Sequence, residues 1–260
     1  YTIFDEFNGQ DDLEKKIIRA VGDPAERFSE DAFRMIRAIR FAAGLGFVIE
    51  EQTLAAIKKN ASLIQNISWE RIRDELLKIL ASPFPYEGIL LFKNTNLLRI
   101  ILPELEACFG VEQKSPERHH IYDVGTHSLL SLKSCPSPDP ITRLATLLHD
   151  VGKVKTYKVL ASQTITFYNH EVVGARLIKI IAERLKLSRD QKDKLWVLVR
   201  WHQFSVDERQ TDSAIRRFIK RVGVNRIDDM VNLRIGDRLG GGIQTATSWR
   251  LKLYLKKITD

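Results

Sequence analysis

The sequence predicts an all-α protein that carries one small β-hairpin. Apolar residues recur at spacings of three and four through most of the 260 residues, which is the period of amphipathic helices. Two segments, Thr156–Val159 and Thr164–Tyr168, instead have the composition of short strands, and a turn at Ala161-Ser162-Gln163 separates them. Two proline-rich breaks, at Ser82–Pro85 and at Ser134–Pro140, divide the helical pattern.

The helical pattern defines a series of elements along the chain. The predicted helices cover Leu13–Val21, Ala32–Leu45, Leu54–Ile64, Ile72–Leu80, Ile89–Leu98, Val124–Leu132, Ile141–Leu148, Val172–Leu185, Leu195–Trp201, Ile215–Val222 and Met230–Leu239. Asp23-Pro24 is typical of a helix start, with a capping carboxylate followed by proline at the first helical position. Ser29-Glu30-Asp31 is predicted to open the next helix, because its acids suit the positive end of the helix dipole.

The composition favours a folded domain and restricts the compartment. Hydrophobic residues make up 44% and charged residues 28%, a composition that argues against wholesale disorder. No apolar run approaches the ~18 residues of a membrane span, and no signal peptide is evident. The two cysteines, Cys108 and Cys135, form neither a disulfide framework nor a CxxC metal site, so we expect a reducing cytoplasm and no membrane partner. The start at Tyr1 suggests a fragment or a processed product.

The positive charge is concentrated at one end of the chain. The formal net charge is +8, and the segment Thr211–Asp260 alone carries +6. A basic end of this kind favours a polyanionic partner, although a solvated helix surface has the same composition.

A cluster of histidines is the first indication of chemistry. All six histidines lie between His119 and His202, and His149-Asp150 ends an apolar helix just before Val151-Gly152-Lys153. A histidine and an aspartate side by side on a helix project about 100° apart, so both can reach one ion. Further candidate ligands are His127, His170, His202 and Asp237.

Imidazole and carboxylate ligands suit Mn, Fe, Ni, Co, Zn or Mg. Two such ions about 3.5–4 Å apart can clamp a phosphate and supply a hydroxide. Lys153 shares the face of His149 and Asp150, where it can hold a phosphate oxygen. Each histidine alone is more often a hydrogen-bonded structural residue, and for His119 and His120 we favour that interpretation.

A helix with regularly spaced arginines is the second indication. Arg34, Arg37 and Arg40 recur every three residues, and Phe33, Ile36 and Ile39 form an apolar face that is expected to pack inward. Asp31 precedes Arg34 by three residues, so both can point at one ligand. Such a pair presents an acceptor beside a planar donor fork, which complements a cytosine edge or an adenine edge. The alternative is an ordinary ion pair on a solvated helix.

The order of the histidines and aspartates resembles that of the HD superfamily of metal-dependent phosphohydrolases, in the version with HDxGK and two extra histidines. The resemblance implies that His127, His149, Asp150 and Asp237 bind a first metal ion. It implies that His170 and His202 bind a second, with Asp150 bridging, and that Asp150 and Lys153 are catalytic. The implied substrates are phosphomonoesters or phosphodiesters, often of nucleotides.

The arginine helix resembles a signature of the class II tRNA nucleotidyltransferases, the superfamily of CCA-adding enzymes and bacterial poly(A) polymerases. Glu30–Ala42 matches EDxxRMLRAxRFA with one conservative change, Phe7–Leu13 resembles the FGGxxDL that closes the catalytic head, and Trp69–Leu76 resembles the neck motif ERIxxEL. The resemblance implies that Asp31 and Arg34 select CTP and then ATP, and that Arg37 and Arg40 hold the triphosphate.

The same resemblance implies a domain order. Residues 1–15 would end the nucleotidyltransferase head, 16–110 form a helical neck, 111–240 form a helical HD domain with the hairpin, and 241–260 begin a truncated tail. The 260 residues contain neither the Gly-Ser dipeptide nor the Asp-x-Asp pair of the head, whose carboxylates bind Mg²⁺ for nucleotidyl transfer. We therefore expect an interior piece of an enzyme that builds or repairs the tRNA 3′ CCA end, with tRNA, CTP and ATP as partners.

Three alternatives remain open at this point. The first is a free-standing HD-domain nucleotide phosphohydrolase, the second a poly(A) or A-only-adding polymerase, and the third an RNA-binding module with a degenerate HD site. The metal, the HD substrate and the oligomeric state do not follow from the sequence.

Overall fold

The structure is a computed structural model that describes residues 4–113, 122–204, 211–242, 256 and 258. The chain divides into two compact units, Tyr1–Pro103 and Glu104–Asp260. In the described ranges the only β-structure is two pairs of two-residue strands, so the all-α prediction is confirmed. None of the described helices has both the length and the apolar character needed to cross a membrane.

The first unit is built around one buried helix. Its elements are α1 (Gly9–Glu14), β1 (Ile17–Ile18), α2 (Pro24–Glu30), α3 (Phe33–Leu45), β2 (Val48–Ile49), α4 (Glu51–Asn60), a 3₁₀ helix (Ala61–Asn66), α5 (Trp69–Ala81), α6 (Pro85–Asn94) and α7 (Leu98–Ile101), while α8 (Pro103–Glu106) spans the boundary in sequence. Helix α3 packs against α5 and α6. Its Met35, Ile36 and Ile39 are fully buried, and each such side chain contributes about 1.5–3 kcal/mol to stability.

The predicted helix Leu13–Val21 is wrong. Helix α1 ends at Glu14, Lys16 adopts a left-handed conformation with φ of 57°, and Ile17–Ile18 pairs in parallel with Val48–Ile49. A two-residue strand shows no period of its own, so its apolar residues were absorbed into the helical pattern.

Two other boundaries in this unit differ from the prediction. Ser29 and Glu30 belong to the last turn of α2, and Asp31 lies extended between α2 and α3 with φ of −146°. Asp31 still contacts the start of α3, because its Oδ1 accepts a hydrogen bond from the backbone N–H of Phe33, while Ala32 is the N-cap residue. The predicted helix Ile89–Leu98 is interrupted at Asn96, which has φ of 64°. The Asp23-Pro24 start is confirmed, since the Asp23 carboxylate accepts from two backbone N–H groups of α2.

The second unit surrounds helix α10. Its elements are α9 (Val124–Ser134), α10 (Pro140–Leu148), α11 (Lys153–Thr156), β3 (Lys158–Val159), β4 (Ile165–Thr166), α12 (His170–Arg184), α13 (Arg189–Trp201), α14 (Asp212–Val222), a 3₁₀ helix (Val224–Arg226) and α15 (Ile227–Gly240). Helix α10 contacts α9, α13 and α15 and buries most of its side chains. The predicted hairpin is confirmed as the antiparallel pair β3 and β4.

The close contact between α9 and α15 in this unit depends on a glycine. A Cβ at Gly240 of α15 would collide with the backbone and hydroxyl of Ser131 on α9. The two helices therefore approach more closely than side chains would allow, and this brings α15 toward the residues of α9 that face the centre of the unit.

Candidate metal centre

Six side chains from five helices converge near the centre of the second unit. His127 lies on α9, His149 caps the end of α10 with Asp150 next to it, and His170 is the first residue of α12. His202 caps the end of α13, and Asp237 lies on α15. Each of the four histidines and Asp150 is at most 3% exposed. Burying so many polar and ionisable side chains costs free energy unless each has a hydrogen-bond, ionic or metal partner.

The first group of ligand atoms gathers His127, His149, Asp150 and Asp237. The Nε2 atoms of His127 and His149 lie 3.3 Å apart, and Asp237 Oδ1 lies 3.1 Å from the first and 3.6 Å from the second. Asp150 Oδ2 lies 3.2 Å from His149 Nε2 and 3.7 Å from His127 Nε2. These separations suit ligands that each lie about 2 Å from one cation.

The second group shares Asp150 with the first. Asp150 Oδ1 lies 3.2 Å from His170 Nε2 and 3.8 Å from His202 Nε2, and the two imidazole nitrogens are 3.3 Å apart. One oxygen of Asp150 therefore faces each group. This is the arrangement of a carboxylate that bridges two cations.

The backbone orients three of the imidazoles. The Nδ1 atoms of His149, His170 and His202 lie 2.7, 2.9 and 2.8 Å from the carbonyl oxygens of the residues three positions earlier. A carbonyl oxygen only accepts hydrogen bonds, so Nδ1 carries the proton and donates. Each Nε2 atom is thereby turned toward the centre, as in histidines that bind metals.

The charges of the centre favour a cation. Burial would lower the pKa of His149, but the carboxylates of Asp150 and Asp237 outweigh burial and raise that pKa to about 10. Burial would raise the pKa of Asp150, but His149 and Lys153 hold it well below its usual range. Burial and the nearby His149 lower the pKa of His202 to about 3, so this imidazole is neutral. Two ionised carboxylates beside neutral imidazole suit a divalent ion, which would compete with the proton on His149.

A glycine lets α12 reach the HD motif. A Cβ at Gly152 would collide with the carbonyl of His170 and with the backbone nitrogen of Gly174. The backbone after Asp150 and the first turn of α12 are therefore in direct contact, which brings His170 within reach of Asp150.

Lys153 is held by two partners rather than left free in the cavity. Its Nζ donates to Asp150 Oδ2 at 2.6 Å and to Gln113 Oε1 at 2.6 Å. Gln113 is 2% exposed, and its Nε2 donates to the carbonyl of Tyr122. Sequence reasoning missed Gln113, because it is uncharged and precedes Lys153 by 40 residues.

The centre opens into a cavity of about 310 Å³. Its wall contains the six candidate ligands and Lys153, together with Tyr168, Asn169, Gln203 and Arg234. The volume suits a small phosphate ester. His119 and His120 lie outside the described residues.

The arginines of α3 separate into two groups. Arg34 and Arg37 line a cavity of about 440 Å³ in the first unit, beside Phe28 and Phe41. Arg40 turns away and pairs through Nε with the buried Glu75 at 2.6 Å.

Neither Arg40 nor Asp31 is among the residues that line this cavity. The Asp31 carboxylate instead accepts a hydrogen bond from the backbone N–H of Phe33, the first residue of α3. The guanidinium of Arg34 binds Glu30 at 3.0 Å.

The fold and the ligand cluster define an HD-domain protein. Residues 119–226 match the HD domain, and residues 46–109 match the family described as "Probable RNA and SrmB-binding site of polymerase A". The chain is 33% identical over 245 residues to the A-adding tRNA nucleotidyltransferase of Deinococcus radiodurans, covering 91% of this chain and 55% of the relative. It is 32% identical over 268 residues to the multifunctional CCA protein of Halorhodospira halophila, covering 98% and 62%.

Solved structures agree on the fold. The Bacillus stearothermophilus CCA-adding enzyme in complex with CTP superposes with a TM-score of 0.64 at 21% identity, over 98% of this chain and 53% of that one. The chain belongs to the CCA-adding tRNA nucleotidyltransferase family. It spans little more than half the length of the relatives named above.

Proposed function

We propose that this chain forms the neck and HD parts of an enzyme that adds or repairs the 3′-terminal CCA of tRNA from CTP and ATP. Residues 1–15 are assigned to the end of the nucleotidyltransferase head, 16–110 to the neck, 111–240 to the HD domain and 241–260 to the start of a tail. Transfer by the whole enzyme would use Mg²⁺ in the head and take place in the cytoplasm. The names of the relatives and the order of the motifs support this proposal.

The nucleotide site is assigned to the arginine helix. The observation that carries this assignment is the cavity shared by Arg34 and Arg37, whose guanidinium groups offer planar donor forks to a base and to phosphates. Asp31 lies just before the same helix, outside the wall of this cavity, and would supply an acceptor to a base that extends beyond the cavity. Arg40 adds positive charge from the next turn while Glu75 holds its guanidinium.

Transfer to tRNA lacking CCA tests the proposal in the protein made from the complete reading frame. We expect incorporation of two C residues and one A, and we expect Arg34→Ala to reduce discrimination between CTP and other nucleotides. Lys59→Ala, an exposed change outside the cavity, is the matched control. Incorporation of A without C would instead establish the A-adding activity that the Deinococcus relative's name describes. Absence of any transfer would contradict both.

We further propose that the HD centre hydrolyses phosphate esters of nucleotides, with 2′,3′-cyclic phosphates as the first substrates to test. His127, His149, Asp150 and Asp237 would hold one divalent ion, and Asp150, His170 and His202 a second. Such ions polarise a phosphoryl oxygen and lower the pKa of a bound water. The observation that carries this proposal is that the two Asp150 oxygens face separate histidine pairs.

The protein's own groups fix the geometry of the centre. Lys153 holds Oδ2 of Asp150, so the carboxylate cannot rotate away from the two histidine pairs. The ammonium also balances carboxylate charge in a buried site, which lowers the cost of ionisation there. Lys153 lines the cavity, where its charge attracts a phosphate oxygen. The metal could be Mg, Mn, Ni, Co, Fe or Zn, all of which accept this ligand set.

Metal analysis and hydrolysis assays on the purified chain test this second proposal. We expect a bound divalent ion, hydrolysis of 2′,3′-cyclic AMP, and loss of both in Asp150→Asn. Asp190→Asn removes an exposed carboxylate of α13 and serves as the matched control. A chain that binds no ion, and whose hydrolysis is the same with and without the Asp150 carboxylate, would rule out the HD activity.

A further inference from the structure

We propose that a basic groove next to the metal centre binds single-stranded RNA whose 3′ end enters that centre. The proposal rests on the HD activity proposed above and names its substrate class, a polynucleotide end rather than a free mononucleotide. The basic groove is the cavity of about 540 Å³ whose lining includes Lys155, Lys158 and Arg176, together with Thr156, Val172 and Val173.

The basic groove and the metal cavity share a wall. Tyr168 and Asn169 line both cavities. A ligand that extends out of the metal centre past these two residues therefore enters the basic groove directly. The metal cavity has about 310 Å³ and the second cavity about 540 Å³, so the second cavity offers additional room for the nucleotides that precede a reacting 3′ end.

The charge of the basic groove suits a phosphodiester backbone. Lys155, Lys158 and Arg176 are exposed, no carboxylate lines the groove, and within the described part of the chain none of the three forms a salt bridge. The two carboxylates of helix α12 already have partners elsewhere, since Glu171 pairs with Arg200 and Glu183 with Lys192. Three unmatched cations along one concavity attract a chain of evenly spaced anions.

An exposed aromatic side chain lies at the junction of the two cavities. Tyr168 is 73% exposed, whereas Phe167 before it and His170 after it are buried. The left-handed backbone of Asn169, with φ of 62°, lets the chain present Tyr168 outward and His170 inward. An exposed aromatic ring beside cationic side chains is the combination that binds single-stranded nucleic acid, because bases stack on the ring while phosphates meet the cations. This favours RNA over an acidic peptide or a lipid surface.

Binding without catalysis tests the groove independently of the HD activity. The probe is a fluorescein-labelled ten-nucleotide oligouridylate, and its anisotropy is measured with the full chain in excess chelator. The test variant is Lys155→Ala/Lys158→Ala/Arg176→Ala, and the matched control is Lys179→Ala/Arg189→Ala/Lys220→Ala, which removes the same charge from exposed positions outside the groove.

We expect the groove variant to weaken binding at least tenfold more than the control variant. We expect its slope of log K against log salt to fall by about 2, since each phosphate contact of single-stranded nucleic acid contributes about 0.7. Tyr168→Ala should weaken binding about fivefold or more, and Tyr168→Phe should retain it. Equal losses in the two triple variants would overturn the proposal. Displacement of the RNA by polyglutamate or by phosphatidylserine vesicles at the same charge concentration would overturn the assignment to RNA.

A hydrolysis assay is the second test of the groove. With metal present, the ratio of kcat/KM for a ten-nucleotide RNA ending in a 2′,3′-cyclic phosphate to that for 2′,3′-cyclic AMP should fall at least tenfold in the groove variant. An unchanged ratio would overturn the proposal. If the unmodified chain hydrolyses neither substrate, the HD activity itself fails, and the binding comparison still decides whether the groove takes RNA.

Discussion

Gly152→Ala should destabilise the second unit and remove one of the two proposed ion sites. The added methyl group would meet the backbone of His170 and Gly174, none of whose atoms can move by rotating a side chain. Carbon and oxygen ordinarily approach to about 3.3 Å, so α12 would have to retreat by about 1 Å. Overpacking of this kind lowers the free energy of unfolding by about 1–3 kcal/mol. Because the neighbouring atoms belong to the backbone and cannot rotate away, we expect Gly152→Ala to lie at the upper end, at about 3 kcal/mol.

The retreat of α12 would also move the candidate metal ligand His170. His170 is the first residue of α12, and its Nε2 lies 3.2 Å from Asp150 Oδ1. A shift of about 1 Å breaks the geometry of the group that contains His170 and His202. The group formed by His127, His149 and Asp237 lies on α9, α10 and α15 and should survive.

Calorimetry and metal titration measure the two effects. We expect the unfolding midpoint of the second unit to fall by about 6–12 °C, from roughly 2–4 °C per kcal/mol in a domain of this size. We expect the number of bound ions to fall from two to one. Gly44→Ala is the control, because a Cβ there meets no atom within 4 Å and should stabilise α3 by about 0.5–1 kcal/mol. A Gly152→Ala protein with an unchanged midpoint and both ions bound at full affinity would refute the reasoning.

Four further expectations follow from the described contacts. Glu75→Gln should cost the first unit about 1–3 kcal/mol in denaturant titrations, because it leaves the half-buried Arg40 guanidinium without its carboxylate, and an unchanged midpoint would contradict that account. Burial raises the pKa of Cys108 to about 12 and raises the pKa of Cys135, so neither native thiol should react with Ellman's reagent at pH 8, whereas both should react in guanidinium. Because the unfolded Cys108 thiol ionises near pH 8.5, the free energy of unfolding should fall as the pH rises from there toward 12, and a flat profile would argue against a buried thiol. A divalent ion at 100 times its Kd should stabilise the native chain by about 2.7 kcal/mol, an effect that chelator reverses and Asp150→Asn abolishes; equal stabilisation of that variant would show that the ion binds elsewhere.

Much of the helical architecture follows from periodicity, and the exceptions have physical causes. The long helices α3 and α5 are visible in the sequence because each presents one apolar stripe to the interior, and α10 is visible because a nearly continuous apolar run follows Asp139-Pro140. The β1–β2 pair is not visible, since Ile17–Ile18 finds its partner Val48 about 30 residues later, a distance over which local patterns carry no information. The end of the predicted helix at Asn96 depends on a single left-handed residue.

The candidate ligands could be named from the sequence because their order and residue types are distinctive. Their supporting residues could not. Gln113 is an ordinary glutamine until the fold brings it to Lys153, and Glu75 lies 35 residues from the Arg40 side chain that it holds. The spacing of three residues on α3 groups Arg34, Arg37 and Arg40 together, but the ion pair with Glu75 of α5 separates Arg40 from the other two.

The distribution of the ligands over five helices has a consequence for folding. His127 and Asp237 are 110 residues apart in the chain, yet their side chains lie 3.1 Å apart. An ion held between them would act as a removable cross-link that closes this long loop, and closing it lowers the entropy of the unfolded chain. Because α9, α10, α12, α13 and α15 would each lose a ligand on opening, none of them could fray without releasing the ion. In the metal-bound protein these helices should therefore exchange their amide hydrogens as one cooperative block, while without the ion each would open at its own rate.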